Sequence, residues 1–467
     1  MHDRFDPSRL PATIWALRAQ FFVAGALFAT WGVHVPSIKA HYGLQEQALA
    51  IAMLAAGAGS VVALLQAGRI LARRAPRQVV PFMAVLCVFA VGSLLLPARY
   101  GILLALMLVY GMAAAVFDVA INDEATAIER ISGRPLMSGF HGMFSLGGMV
   151  GAAAWSLLAP LDVAPGEHLV GAAAALGALA LFATPFMLRQ ERQGHPSGTG
   201  LSLPRGPLAL LGVMAGLGLI GEGAMYDWSV LYLRQELAAP TAIASLGYAS
   251  FSGAMAAGRF GGDWVRARVA PAPLLRASGL LAAVGMALAL AVPHPAAALG
   301  GFALVGLGFA NMVPVLFSAA GQLPGIAPAH GIAAVASVGY FGMMAGPPFI
   351  GFIAQASSLT WGLLVVILFA VLLAALSRRA EASQAPAGSV QRRSISAARA
   401  ASRVSAGGGP RCATTMTLPD GVGGNCHSVC GRRWRRMRAT LARASIAAPI
   451  RLTTSVPSSR RQRAQSA

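Results

Sequence analysis

Two clusters of polar residues lie inside long apolar stretches of the chain. In the first, Asp118 precedes Asn122 by four positions, and His141 precedes Ser145 by four positions. Residues four apart share one face of a helix, so these side chains can meet if the two helices are antiparallel neighbours. Burial raises the pKa of a carboxylic acid towards neutrality. A carboxylate beside an imidazole would therefore be suited to taking up and releasing a proton.

Asp118 has a second interpretation. Counted from Gly101 at about 1.5 Å per residue, it lies roughly 25 Å along its helix, near a membrane boundary. At that depth its carboxylate could hold a gate closed by pairing with Arg69 or Arg73. The sequence leaves proton coupling and gating open as alternatives.

The second cluster surrounds Glu222. Tyr226 lies one turn further on the same helix face, followed by Asp227 and Trp228. A carboxylate beside aromatic rings suits a site that binds hydroxyl or amine groups, or that carries a proton. An ionisable side chain within a membrane span is costly and is therefore a functional candidate. The alternative is an aromatic belt at the membrane surface, with Glu222 paired to Arg234.

Residues on three other spans are predicted to line a cavity: Trp31, Asn311 and Tyr340. Pro314 after Asn311 and the pair Pro347 and Pro348 are expected to interrupt two spans, because proline removes a helical hydrogen bond. Membrane helices tolerate such breaks where a cavity or a neighbour satisfies the backbone. The alternatives for these residues are helix packing, backbone repair and, for Trp31, the aromatic belt.

The elements that carry these residues belong to an unusually apolar chain. Of its 467 residues, 56% are hydrophobic and 11% are charged, whereas soluble proteins carry roughly 25% charged residues. The composition indicates a membrane protein and argues against a large soluble enzyme. The net charge of +20 comes mostly from region 378–467, with 17 arginines and 2 acidic residues, so it does not indicate nucleic-acid binding.

Twelve stretches approach the roughly 20 apolar residues that a membrane helix needs. They are 14–33, 48–68, 79–97, 102–123, 138–159, 168–188, 207–227, 242–261, 273–293, 297–318, 330–354 and 359–377. The prediction is an all-α integral membrane protein with four regions. These are a six-helix bundle (1–188), a cytoplasmic linker (189–206), a second six-helix bundle (207–377) and a disordered tail (378–467).

The basic residues predict the orientation of this bundle. With a cytoplasmic N-terminus, sixteen Lys and Arg residues before the tail face the cytoplasm, and three, Lys39, Arg99 and Arg234, face outward. The positive-inside rule then places both termini in the cytoplasm.

The two bundles also repeat each other. GRILARRAPRQ begins at Gly68 after the second span, and GRFGGDWVRAR begins at Gly258 after the eighth. GFHGMFSLGGMVG (139–151) of the fifth span matches GYFGMMAGPPFIG (339–351) of the eleventh. Each match joins spans six apart, which predicts parallel repeats, a known transporter architecture.

These segments resemble the major facilitator superfamily. Its loop signature, Gly-x-Leu-Ala-Asp-Arg-x-Gly-Arg-Arg, is similar to GRILARRAPR (68–77), with Ala72 at the acidic position, while the second copy keeps Asp263. The resemblance implies twelve helices in the major facilitator fold. It also implies a cytoplasmic gate formed by Gly68, Arg69, Arg73, Gly258, Arg259 and Asp263.

Five segments resemble more narrowly the MosC-like branch, named for a transporter of rhizopine, an inositol amine. They are TWGVHVPSIKAHYGL (30–44), FDVAINDEATAIE (117–129), RPLMSGFHGMFSLGGMVGA (134–152), GEGAMYDWSVLYLR (221–234) and GLGFANMVPVLFSAAG (306–321). His34 stands where an arginine is expected in this branch. The resemblance implies a monomeric, proton-coupled transporter of a sugar, polyol or amino-polyol in the bacterial inner membrane. Its partners would be the solute, H⁺ and the lipid bilayer.

Two alternatives stay open. A drug exporter of the same fold would need an apolar cavity, which Met143, Met343 and Met344 would allow, and a membrane sensor would transport nothing. Enzymatic chemistry is not expected, because the spans contain no catalytic triad, metal-ligand set or phosphate-binding loop followed by Lys-Ser/Thr. We accordingly expect no cofactor and no metal.

The tail does not continue the resemblance. Cys412, Cys426 and Cys430 follow no known metal-ligand spacing. The arginine-rich composition is typical of an out-of-frame reading of a GC-rich gene. The tail is therefore expected to be dispensable.

Overall fold

The computed structural model describes residues 9–134, 136–189, 205–323, 326, 328–384, 412–416 and 424–428. Residues up to Gln384 form one compact unit, and those from Ala385 form another. The described part of the first unit is helical. Its N-terminal half contains α1 (Leu10–Val33), α2 (Val35–Tyr42), α3 (Glu46–Arg73), α4 (Pro76–Gly92), α5 (Tyr100–Ser132), α6 (Met137–Leu158) and α7 (Pro165–Ala183).

In the N-terminal half, α6 and α7 are each followed by a short 3₁₀ turn, Ala159–Leu161 and Thr184–Phe186. The C-terminal half of the first unit begins after the expected linker, of which residues 190–204 lie outside the described part of the chain. The C-terminal half contains α8 (Pro207–Gln235), α9 (Thr241–Phe260), α10 (Gly262–Arg266), α11 (Pro271–Ala291), α12 (Pro295–Phe309), α13 (Met312–Gly321), α14 (Pro328–Ala356) and α15 (Leu359–Gln384).

Proline and glycine mark several of the helix ends. Pro76, Pro207 and Pro271 open α4, α8 and α11, where the missing proline N–H would have no helical acceptor and the fixed φ suits the first turn. Gly43 and Gly133 end α2 and α5 with φ of 62° and 63°. That left-handed conformation favours glycine and closes the last turn.

Eleven of the twelve expected spans each coincide with one helix, and the tenth, 297–318, coincides with α12 and α13. Within the described residues, ten helices are long and apolar enough to cross a membrane. The two other expected spans correspond to α4, which has 17 residues, and to α9, which is not among the ten. The described part of the first unit is therefore that of a multi-pass, all-helical membrane protein.

The two expected helix interruptions had different outcomes. The break at Asn311 is confirmed, because α12 ends at Phe309 and a new helix, α13, begins directly after Asn311. The break at Pro347 and Pro348 is wrong, because both prolines lie inside the continuous helix α14. Membrane helices can keep their course through proline when neighbouring helices support them, and α14 packs closely along α8.

The two halves are joined by α6 and α9, which run antiparallel. Ser138 near the start of α6 donates to the carbonyl of Arg259 near the end of α9 at 2.8 Å. At the other end of the pair, Ser156 donates to the carbonyl of Ala242 at 2.7 Å. The halves therefore touch along the length of these helices.

The fold has two chemically different ends. The Ser138–Arg259 contact places the start of α6 beside the end of α9, and α5 ends just before α6. Helix α3 runs parallel to α5, since Ala48 meets Tyr100 and Ser60 meets Gly111. We call this end the basic end, because it carries Arg73, Arg130 and Arg266, and we call the other the opposite end.

The last helix extends beyond the expected end of the C-terminal bundle. Helix α15 continues to Gln384, so it does not stop at Ser377. In the second unit, Cys412–Met416 (β1) pairs antiparallel with Gly424–Ser428 (β2), and Thr414 lies opposite Cys426. The rest of the region beyond Gln384 lies outside the described residues, and the disorder expected for the tail stays a prediction.

Candidate functional site

A buried ion pair lies where the two halves meet. The Arg259 guanidinium of α9 is 3.0 Å from Oε1 of Glu222 on α8, and both side chains are under 10% exposed. A second guanidinium nitrogen of Arg259 donates to Oγ of Ser145 on α6 at 2.7 Å. One turn along α8, the Tyr226 hydroxyl donates to the same Glu222 oxygen at 3.2 Å. Arg259 thus connects the carboxylate of Glu222, in the C-terminal half, to Ser145 in the N-terminal half.

This geometry revises two sequence interpretations. Glu222 is paired with Arg259, and Arg234 instead donates to the carbonyl of Ala239 at 2.8 Å. The alternative pairing of Glu222 with Arg234 is therefore wrong. Arg259 was assigned with Gly258 and Asp263 to a gate, but Asp263 pairs at the surface with Arg266. Arg259 is buried and its side chain reaches the interface between the halves.

The ion pair leaves one acceptor unused. Oε2 of Glu222 is buried and has no hydrogen-bond partner among the described residues. A charged pair taken out of water loses hydration that its own attraction only partly restores, so a buried pair is weak evidence for stability. A buried carboxylate with a free acceptor, placed where the two halves meet, is better suited to binding a proton or a ligand.

Asp118 forms a second contact between the halves. Its Oδ1 accepts from Nδ2 of Asn122 at 3.1 Å, and its carboxylate interacts with the hydroxyl of Tyr340 on α14. Tyr340 is 43% exposed, so this contact borders open space. Three predicted residues are therefore brought together by α5 and α14.

The expected partners of Asp118 lie elsewhere. His141 packs edge-on against Phe21 at 5.4 Å and lies within electrostatic range of Arg259. Within the described residues, no hydrogen bond joins His141 to Asp118, and Arg69 donates a hydrogen bond to Gln66. Among the described residues, Asp118 interacts with Asn122 and Tyr340, and not with His141, Arg69 or Arg73 as the two sequence interpretations expected.

A third contact between the halves involves Asp227. Its carboxylate interacts with the side chain of Trp31 on α1. Trp31, Tyr226 and Trp228 are each at most 2% exposed, which argues against a membrane-surface belt for these rings. The indole of Trp228 packs near Gly351 of α14. The aromatic residues of the second cluster therefore belong to the interior.

Asn311 joins helix ends at the basic end. Its amide nitrogen donates to the carbonyl of Gly258 at 3.3 Å, and the side chain lies directly against Gly262. Gly258 itself packs against Ala310. The first repeat glycine, Gly68, has no such neighbour. The two gate motifs therefore have different surroundings, and Asn311 supports the junction of α9 and α10.

Sequence reasoning missed several buried polar groups. Tyr248 and Ser252 on α9 are fully buried beside this site, and His34 contacts His168 near the opposite end, Nε2 to Nδ1, at 2.8 Å. The four-residue spacing of Tyr248 and Ser252 indicates that both side chains lie on one face of α9, so the sequence could have pointed to them. His34 and His168 are 134 positions apart in the sequence, and no local sequence pattern predicts their contact. The described residues contain no group of three metal-ligating side chains.

Related proteins cover most of the chain. The sequence profile of the Major Facilitator Superfamily matches residues 16–330. An uncharacterized MFS-type transporter of Yersinia pestis is 37% identical over 365 residues, covering 77% of this chain and 94% of that protein. Membrane protein MosC of Rhizobium meliloti is 31% identical over 369 residues, covering 78% of this chain and 89% of MosC.

Solved structures share the fold at low sequence identity. An inward-facing, unoccupied bacterial homolog of the human lysosomal transporter Spinster matches with a TM-score of 0.62 at 14% identity, covering 81% of this chain and 98% of that structure. The nucleoside transporter NupG matches with a TM-score of 0.59 at 14% identity, covering 79% and 98%. Together with the profile match and the relatives, these likenesses establish that the chain belongs to the major facilitator superfamily of membrane transporters.

Proposed function

We propose that this protein is a secondary active transporter that moves a small polar solute across the bacterial inner membrane, driven by protons. It spans the membrane twelve times as two parallel six-helix repeats and acts as a monomer. The basic end faces the cytoplasm, as the positive-inside rule requires, and both termini lie there. The opposite end faces outward.

The observation that carries the proposal is the Glu222–Arg259–Ser145 connection. It places a carboxylate and a guanidinium at the surface where the N-terminal and C-terminal halves meet. Alternating access requires the halves to separate at one end and close at the other. The Arg259–Ser145 bond must break or re-form in that motion, so the charge state of the pair is coupled to the conformation.

Protonation of Glu222 gives this coupling a direction. A neutral Glu222 would leave the Arg259 guanidinium buried and unpaired, which costs several kcal/mol. The conformation in which Arg259 reaches water would then be favoured. Loss of the proton restores the pair and favours the closed contact. Proton binding and release thus bias the two conformations in opposite senses, as coupled transport requires.

Two other contacts define what must open. Trp31–Asp227 joins the halves on the outward side of Glu222, and Asp118–Tyr340 joins them through α5 and α14. We propose that they act as gates that exchange during transport. The polar character of the contacts, and the likeness to the MosC-like branch, favour a sugar, polyol or amino-polyol over an apolar drug.

The test is gradient-driven uptake in proteoliposomes. Wild type, Glu222→Gln and the control Glu167→Gln are compared with labelled polyols, amino-sugars, hexoses and lipophilic cations. Glu167 only caps α7, its Oε2 accepting from the Ala164 N–H, and glutamine keeps that acceptor. We expect Glu222→Gln to abolish accumulation driven by a pH gradient while retaining solute exchange.

Three results would contradict the proposal. Undiminished proton-driven accumulation by Glu222→Gln would remove Glu222 from coupling. Uptake of lipophilic cations alone would support the drug-exporter alternative. Absence of uptake for every solute would favour a membrane sensor.

A further inference from the structure

Three buried polar atoms face one region without a partner. They are Oε2 of Glu222, the hydroxyl of Tyr248 and Oγ of Ser252, none with a hydrogen-bond partner among the described residues. Tyr248 and Ser252 are 0% exposed and lie four positions apart on one face of α9. Tyr248 is within electrostatic range of Glu222 and of Asp227. Buried hydroxyl groups are normally hydrogen-bonded, so this grouping calls for a functional explanation.

Glycine backbone from the other half covers these hydroxyls. A Cβ atom at Gly148 of α6 would lie 3.1 Å from Oγ of Ser252 and 3.3 Å from the Tyr248 ring. A Cβ atom at Gly32 of α1 would lie 2.7 Å from the Tyr248 ring. Gly148 and Gly32, which cover these hydroxyls, have no side chain that could donate or accept a hydrogen bond. Because it belongs to the N-terminal half, it moves away when the halves separate.

Aromatic rings complete the surroundings. The Tyr226 ring lies 5.2 Å from Tyr248, 5.1 Å from Phe251 and 5.3 Å from Phe28 of the N-terminal half. Ligand sites commonly combine apolar and aromatic walls with a few fixed polar groups. Here the walls would pack on C–H groups, while two hydroxyls and a carboxylate oxygen would meet polar substituents.

We propose that Tyr248 and Ser252 form a subsite that binds adjacent hydroxyl groups of the transported solute, beside Glu222. This subsite rests on the proposed transport function and names the residues that select a polyhydroxylated solute. In the closed contact the hydroxyls are covered and unpaired. When the N-terminal half withdraws, the solute supplies the missing hydrogen bonds, which favours the conformation that has bound it.

The first test needs no ligand. Tyr248→Phe and Ser252→Ala each remove one unpaired hydroxyl, whereas Tyr232→Phe removes a hydroxyl that donates to the Ala289 carbonyl at 3.0 Å. An unpaired buried polar group destabilises the folded state, and a paired one does not. In the purified, ligand-free full chain we expect Tyr248→Phe and Ser252→Ala to raise Tm by about 1–3 °C and Tyr232→Phe to lower it. A Tm loss in Tyr248→Phe matching that of Tyr232→Phe would overturn the inference.

The second test measures selectivity by binding. Cyclitols, hexoses and alditols, each with its monodeoxy derivatives, are titrated against wild type, Tyr248→Phe, Ser252→Ala and the control Ser250→Ala. Ser250 lies on the same helix, and its hydroxyl donates to the Gly247 carbonyl. For the best solute we expect a loss of about tenfold in Kd in each subsite variant, the size of one hydrogen bond. The matching deoxy derivative should bind all four proteins alike.

Binding and transport separate the two proposals. Three results would overturn the subsite. The first is an equal loss of affinity for the solute and for its deoxy derivative, and the second is an unchanged affinity in both Tyr248→Phe and Ser252→Ala. The third is that no polyhydroxylated compound binds. Absence of transport by wild type, with selective binding intact, would overturn the transport function and leave the subsite standing.

Discussion

At the residue scale, the ion pair and the histidine pair illustrate two uses of buried polar groups. Arg259 bonds Glu222 within its own half and Ser145 across the interface, so its contacts depend on how the halves sit. His34 bonds His168 inside the N-terminal half, and Trp155 packs on both rings at 4.4 and 4.9 Å. The histidine pair therefore lies wholly within the N-terminal half and does not connect the two halves.

Because His34 is buried against His168, we expect the free energy of unfolding to decrease at acidic pH. Burial, and secondarily His168, lowers the pKa of His34 to about 3, whereas an unfolded histidine titrates near 6.5. Below about pH 6.5 the unfolded state therefore binds more protons than the folded state. The contribution of neutral His34 to the free energy of unfolding is present in full above that pH and is lost as the pH falls. We expect His34→Asn to lower Tm at pH 7.5 and to reduce its drop between pH 7 and pH 5.

The control for this prediction is His294→Asn, at an exposed position where asparagine can still cap α12. Other charged groups near this end already have partners: His41 contacts the Pro97 carbonyl, Lys39 pairs with Glu46, and Glu167 caps α7. A pH dependence of Tm in His34→Asn as steep as in wild type would show that the pair does not titrate with folding.

At the element scale, close helix packing depends on particular glycines. Gly111 of α5 and Gly59 of α3 place each helix directly on the other's backbone, near Ala56 and Leu108. Such small residues allow membrane helices to approach closely. By contrast, Gly101 on the same α5 has open space where a side chain would be. Position along the helix, and not residue type, decides which glycine is required.

This difference yields a matched pair of substitutions. Gly111→Ala would drive a Cβ into the backbone of Ala56, and overpacking of this kind costs about 1–3 kcal/mol. Gly101→Ala gains helix propensity without a clash. We expect a clearly lower Tm for Gly111→Ala and an unchanged or slightly higher Tm for Gly101→Ala. Equal Tm values for the two variants would mean that α3 and α5 pack less closely than described.

At the scale of the whole molecule, the chain divides at Gln384. The matches to the two relatives cover 77% and 78% of this chain. Helix α15 belongs to the helical unit, since Val366 lies near Gly221 of α8 and Ala370 contacts Gly279 of α11. The folded transporter therefore requires α15, and the region beyond it is not needed for these contacts.

Truncation tests this division. A chain ending at Gln384 should insert into the membrane, show the wild-type Tm and retain uptake, because it keeps every described contact of the helical unit. A chain ending at Ala356 loses α15 and should fail to give stable protein. The measurements are yield of monodisperse protein in detergent, Tm and uptake. Loss of uptake on removal of 385–467 alone would assign a role to the tail.

The sequence by itself determined the class of protein, the helical regions and the superfamily, because hydropathy, charge bias and local motifs act within one helix or loop. It also singled out Glu222, Asp118 and Asp227 as candidate site residues. The tertiary structure decided their partners, Arg259, Tyr340 and Trp31, since each comes from another helix and two come from the other half. Contacts between distant positions depend on how helices pack, and no spacing along one chain segment specifies that packing.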